Sequence, residues 1–250
     1  MRGRGRSIYR SGEPSLQPRP KREKPKTTPN PKGKFIIHSN HDNIIEALNL
    51  SKTSHTIISV DLGMKHYGFR IEKRFNAIYG AHNLSIITVE MIKKKFDKTR
   101  CHTNNEGTKS RLFVDLIAFL DQYKEHYLTA SMAIIEGQMS DNNDMSRLSQ
   151  ATIDYFLIHY PDMIILELDA HLKSRAFGVS KLTRPELKKW GVDKAISLLS
   201  ARNDEKGLEI LTSEKKKDDL ADTIIGIEAL FTHLKLQTTN PEGTTVLTFV

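Results

Sequence analysis

From residue 56 onward the chain alternates short apolar runs with longer stretches of helical period. Thr56–Val60 (TIISV) is a β-branched run that ends directly in Asp61. Tyr67–Lys73 and Leu84–Met91 read as two further strands, separated by turn-like sequence around Asn76 and Gly80–Asn83. Three strands in succession predict an antiparallel meander. Across Lys109–Tyr127, Leu112, Leu116, Phe119, Leu120 and Tyr123 recur at helical spacing. Met132–Ile135 is a short apolar strand that runs straight into Glu136, and Asp144–Tyr160 has a helical period stopped by Pro161. Met163–Leu168 is another strand of the buried type. Thr183 and Glu186 form a capping-box pattern that opens a helix reaching about Ala201, and Lys216–Leu236 predicts a long final helix. The order is three strands, helix, strand, helix, strand, helix, helix, and the fold class is a mixed α/β domain.

Charge divides the chain unevenly. The full 250 residues carry 38 basic and 30 acidic side chains, a net of +8. Met1–Lys34 alone holds 11 basic and two acidic residues, a net of +9, so the remainder stands near −1. That segment has six of the nine prolines and few large apolar side chains, too little burial to offset chain entropy. It is expected to be a disordered basic tail, either a nonspecific electrostatic arm for nucleic acid or a solubilising or targeting extension, since PKREKPK also resembles a nuclear localisation signal. The expected organisation is a tail over residues 1–34, a short helical linker over 35–55 built on Asp42–Leu50, a catalytic domain over 56–236 and a C-terminal tail over 237–250.

Several classes fall away on composition. A single cysteine, Cys101, makes no internal disulfide and no multi-cysteine metal site. No apolar run approaches the roughly 20 residues of a membrane helix. The opening MRGRGRSIYRSGEP lacks the apolar stretch of a secretory signal. The expectation is an intracellular protein with neither a membrane partner nor a small-molecule cofactor.

The chemistry lies in carboxylates placed where apolar elements turn abruptly charged. Asp61 and Glu136 each close a buried strand, while Asp218, Asp219 and Asp222 open the last helix. Spacings of three and four put the last three on one helical face. Carboxylates crowded at a strand-end cleft repel one another and resist desolvation unless cations neutralise them. Oxygen-only donors favour Mg²⁺ or Mn²⁺, and two such ions would serve phosphodiester hydrolysis.

The segments SVDLGMKHYG, IIEGQ and KKKDDLADT resemble the three acidic motifs of RuvC-like Holliday junction resolvases, particularly the poxvirus-type enzymes and their fungal mitochondrial relatives. The resemblance spans roughly Thr56–Leu236. It implies an RNase H-like fold: a five-stranded mixed sheet flanked by helices, with the first three strands antiparallel. It implies metal ligation by Asp61, Glu136, Asp219 and Asp222, with Asp218 as a neighbour able to replace Asp219. The implied activity is a Mg²⁺-dependent endodeoxyribonuclease that resolves four-way junctions in DNA recombination and repair. Paired nicks would come from a homodimer, each active site using two metal ions. A viral source is in keeping with this likeness, and the enzyme would then work where the host cell replicates viral DNA, in cytoplasm or nucleus.

The resemblance also implies a basic residue near the cleft. The segment His171–Lys194 has seven, and Lys181 and Lys188 are the preferred contacts for the scissile phosphate, with Lys65 after the first aspartate as another. Gln138 is placed beside Glu136, and Trp190 reads as a packing anchor. The nearest rival within the chemistry is a ribonuclease H or an RNA-processing RuvC relative. DLGMKHYG also fits the phosphate loop of actin-like and sugar-kinase ATPases, but those need a second such domain. A catalytically dead nucleic-acid-binding homologue would have no electrostatic reason to keep five clustered carboxylates.

Overall fold

The structure is a computed structural model, and it describes residues 35–39, 54–63, 65–75, 85–96, 108–138 and 143–233. The basic tail, the helix expected over residues 42–50, Cys101 and the C-terminal tail lie outside the described residues. The described strands are β1 (Phe35–Ile37), β2 (Ser54–Asp61), β3 (Tyr67–Phe75), β4 (Ser85–Lys94), β5 (Ala130–Glu136) and β6 (Ile164–Leu168). The helices are α1 (Thr108–Asp121), α2 (Lys124–Tyr127), α3 (Asn143–His159), α4 (Ala170–Ala176), α5 (Arg184–Ala201), α6 (Glu205–Ser213) and α7 (Asp218–His233).

One sheet runs in the order β1-β6-β5-β2-β3-β4. Strands β2, β3 and β4 form the expected antiparallel meander. Strand β5 lies parallel to β2, and β6 parallel to β5, each reached by a helical crossover. The sheet has six described strands rather than five. Phe35–Ile37, expected inside a helical linker, pairs antiparallel with β6, where β-branched and aromatic side chains cover that edge. The single helix expected over residues 109–127 breaks into α1 and α2 at Gln122–Tyr123, whose backbone N–H groups bond back to Phe119 and Leu120. Two short helices, α4 and α6, were not expected, because seven and nine residues carry too few turns for a periodic signal.

Helices cover both faces of the sheet, which is why β2 is buried along nearly its whole length. On one face Ile58 and Val60 of β2 and Tyr67, Phe69 and Ile71 of β3 pack with Leu116, Phe119 and Leu120 of α1 and Leu148 and Phe156 of α3. On the other face Ile57, Met132, Ile134 and Leu166 meet Leu172 of α4 and Ile227 and Leu230 of α7. Beside this, α5 and α6 pack on Leu220, Ala221, Ile224 and Ile225 of α7. Helix α7 is thus the packing centre of that face, buried along much of its length. Helix α5 opens with the expected cap, since the Glu186 carboxylate accepts the Thr183 backbone N–H at 2.7 Å.

Strand β3 shows a second pattern. Tyr67, Phe69 and Ile71 face the apolar core, while the alternate positions are Gly68, Arg70, Glu72 and Arg74. These charges are buried under α5–α7 and satisfied there. Arg70 donates to Glu72 at 3.1 Å, Thr88 at 2.6 Å and Asp204 at 3.2 Å. Arg74 donates to Glu72 at 2.5 Å and pairs with Glu228, which also holds Arg202 at 2.6 Å. Three guanidiniums balance three carboxylates, so removing one member leaves the buried network with one uncompensated charge, and breaking such a buried pair costs about 3–5 kcal/mol.

Candidate metal centre

Asp61 is the last residue of β2 and Glu136 the last of β5, and these strands are parallel neighbours. Parallel pairing brings both carboxyl ends to the same edge of the sheet. Across the other side of Asp61 its register partner is Gly68 on β3. A Cβ added at Gly68 would stand 2.6 Å from the Asp219 carbonyl oxygen. The missing side chain therefore lets the first turn of α7 lie against the sheet. One turn further along, Asp222 comes over the strand ends. Carboxylate oxygens of Asp61, Glu136 and Asp222 all lie within 4.8 Å of one another.

The fourth member of the group is a lysine. Lys173, on α4 just after β6, places its Nζ 3.1 Å from Glu136 Oε2 and 3.3 Å from Asp222 Oδ1. It is 8% exposed, and Leu172 beside it is buried under α7. Sequence reasoning counted Lys173 in a basic segment without singling it out. Its place became visible only with β6 beside β5, which sets the helix after β6 next to Glu136.

The site is electrostatically strained and internally compensated. Burial raises Asp61 well above the usual carboxylate range, helped by the charge of Glu136 and a hydrogen bond shared with it. Burial also raises Asp222, opposed by Lys173 and reinforced by Glu136. Burial would raise Glu136 too, but the Lys173 ammonium and the hydrogen bond from Asp61 hold it below its ordinary value. Burial alone would lower Lys173, yet the charges of Asp222, Glu136 and Asp61 push it above the usual lysine range. The shifts thus run upward for Asp61 and Asp222 and downward for Glu136, with Lys173 spanning Glu136 and Asp222.

The remaining expected residues are placed elsewhere. Asp219 accepts from Lys216 at 2.7 and 2.8 Å and stands outside the three-carboxylate group. Asp218 pairs with Lys188 at 2.5 Å and Lys216 at 3.5 Å, and against burial these ammonium groups hold it below its ordinary value. The three share a face of α7, but Asp222 lies one turn further along and reaches Lys173, whereas Asp218 and Asp219 are held by Lys188 and Lys216. Lys188, expected at a phosphate, is engaged by Asp218. Lys181 lies exposed in the loop before α5 with a left-handed backbone (φ 65°), and Lys65 is exposed beyond β2. Gln138 donates to the Glu136 carbonyl at 3.3 Å. Trp190 packs on Phe177 with ring centroids 5.9 Å apart, the anchoring role its helical position suggested.

The donor set fits a divalent ion that prefers hard ligands. Asp61, Glu136 and Asp222 offer only oxygen, at strand and helix ends that fix their positions. Among the described residues no helix is long and apolar enough to cross a membrane.

No family model matches the chain. It is 27% identical over 205 residues to the uncharacterized protein 97L of Invertebrate iridescent virus 3, spanning 69% of this chain and 98% of that protein. Among solved structures, it is similar to the Fowlpox virus resolvase in complex with Holliday junction DNA. That likeness has 18% identity and a TM-score of 0.48 and covers 69% of this chain and 95% of that one. The yeast mitochondrial Holliday junction resolvase Ydc2 matches at 13% identity and a TM-score of 0.48, covering 76% of this chain and 83% of the other.

Proposed function

We propose that the chain is a RuvC-like, Mg²⁺- or Mn²⁺-dependent endodeoxyribonuclease that resolves four-way DNA junctions by paired nicking. The observation that carries this reading is the meeting of Asp61, Glu136 and Asp222 at one sheet edge, from three segments far apart in sequence. Each comes from one of the three acidic motifs that resemble those of the resolvases. Asp61 and Glu136 are held on rigid strand ends, and Asp222 on a helix locked by burial, so the oxygens are preorganised.

These three carboxylates would hold the metal, two ions per site in the proposed mechanism. Bound there, Mg²⁺ or Mn²⁺ supplies acidification of water and charge neutralisation at the transferring phosphate. The chain's own residues do the rest. Asp61, raised by burial and by Glu136, would hold a cation only in its ionised form, and among the described residues Lys173 is the buried ammonium within ion-pair distance of Glu136 and Asp222. Exposed Lys65, four residues after Asp61, and exposed Lys181, in the loop before α5, would offer phosphate contacts outside the centre. The near-neutral domain takes additional DNA affinity from the basic segment Met1–Lys34. Paired nicking needs two centres, so the working form is a homodimer.

The test is to give purified protein synthetic four-way junctions, RNA–DNA hybrids and plain duplex with Mg²⁺, Mn²⁺ or EDTA. Symmetric junction nicks that vanish in EDTA are expected. If hybrids are cut and junctions are not, the resolvase reading is wrong and the ribonuclease H reading replaces it.

A further inference from the structure

Two of the centre's carboxylates are paired with an ammonium of the protein itself. Lys173 spans Glu136 and Asp222 at 3.1 and 3.3 Å. Among the described residues it is the cation paired with both. A divalent ion held by the same oxygens needs them at about 2.0–2.2 Å, and a fixed ammonium there both repels it and occupies its donors. Lysine is suited to leaving: its charge sits on a flexible four-carbon stem with three rotatable donors. Leaving Glu136 and Asp222 unaided, however, would strand a buried ammonium. It needs another anion, and the anion that reaches a nuclease centre is a backbone phosphate of DNA.

We propose that Lys173 is an exchangeable counter-ion that couples metal loading to DNA binding. In the free protein it holds Glu136 and Asp222. When DNA arrives, its ammonium turns to a phosphate oxygen and frees both carboxylates for the metal. The inference rests on the nuclease reading and deepens it, since the protein then loads its metal fully only on substrate. Coupling between two ligands is reciprocal, so the metal must tighten DNA binding by the same factor.

The experiment measures Mn²⁺ affinity by electron paramagnetic resonance and calorimetry, with and without a phosphorothioate four-way junction that resists cleavage. In the wild type the junction is expected to raise Mn²⁺ affinity about tenfold, within the usual range of coupling between sites. Lys173→Met should bind Mn²⁺ about tenfold more tightly than wild type without DNA, and the junction should add less than about twofold. Lys173→Arg, which keeps the charge, should follow the wild type. Lys173→Gln takes the place of the methionine variant should that one fail to fold. Equal Mn²⁺ affinity in wild type and the neutral variant, or no junction effect on the wild type, overturns the counter-ion role while leaving the metal centre intact. An arginine variant that behaves like the neutral one overturns it as well. Failure of Mn²⁺ to bind any of these proteins overturns the nuclease reading instead.

Discussion

Gly68 is a test of how the centre is assembled. It pairs with Asp61 in the sheet and lies beneath the first turn of α7. Alanine there would set its Cβ 2.6 Å from the Asp219 carbonyl oxygen and 3.2 Å from both the Asp219 carbonyl carbon and Thr223 Cγ2. Carbon–oxygen contacts normally sit near 3.3 Å or beyond, so the helix backbone must retreat by about 0.7 Å. Backbone atoms on a buried helix cannot swing aside as a side-chain tip can. Overpacking of this kind costs about 1–3 kcal/mol, partly offset by about 0.4–1 kcal/mol from the stiffer unfolded chain. Asp222 is three residues beyond the clash. Misplacement by about 1 Å in a catalytic constellation costs on the order of a hundredfold, so Gly68→Ala should lose about ten- to a hundredfold in junction cleavage. Its Mn²⁺ affinity should weaken in step. Gly226→Ala on the same helix is the control: its Cβ would meet Ser59 Oγ at 3.7 Å and Leu168 Cδ2 at 3.8 Å, ordinary contacts. Thermal melts, Mn²⁺ binding and cleavage of both variants decide the matter. Wild-type stability, metal affinity and cleavage in Gly68→Ala would refute the idea that this glycine sets the height of Asp222.

Four further outcomes follow from the same geometry. Asp222→Asn should reduce junction cleavage at least about a hundredfold, whereas Asp219→Asn, which loses only its pairing with Lys216, should stay within about tenfold of wild type. The reverse order would restore Asp219 as the metal ligand. Asp61 and Asp222 both hold protons above the ordinary carboxylate range, so protons compete with the metal to unusually high pH. Mn²⁺ affinity should accordingly climb as pH rises beyond the usual carboxylate range, and a flat profile by calorimetry would contradict the shared burial of these groups. Glu72 is lowered from 4.5 to about 2, against the pull of burial, by Arg74, Arg70 and Arg202. Its folded value lies below the unfolded one, so its stabilisation is complete above about pH 4.5 and is lost as pH falls toward 2. Urea denaturation of Glu72→Gln between pH 5 and 3 should show a shallower slope than wild type. Deleting Met1–Lys34, which removes a net charge of +9, should weaken junction binding and flatten its salt dependence while cleavage persists at low salt.

Strand β3 shows where a sequence stops being informative. Its alternation marks a strand and tells which residues share a face, because side chains on a strand point alternately to its two sides. Nothing in YGFRIEKRF says that Arg70 and Glu72 are fully buried. That depends on Asp204, Arg202 and Glu228, more than 120 residues away in sequence, closing over them. Read locally, the polar face of a meander strand belongs in water.

By itself the sequence determined the type and order of the main elements, the abrupt carboxylates at Asp61 and Glu136, and the concentration of charge in the first 34 residues. These are local properties, set by side-chain period and composition. The tertiary structure decided which helix-borne acid meets the strand ends, and that it is Asp222 rather than Asp218 or Asp219. It also decided that the buried cation is Lys173 rather than Lys181 or Lys188. Both outcomes depend on where along its axis a helix meets the sheet and on which strands are neighbours. Packing against Gly68 and the parallel pairing of β5 with β6 fix those quantities. No run of adjacent residues encodes them.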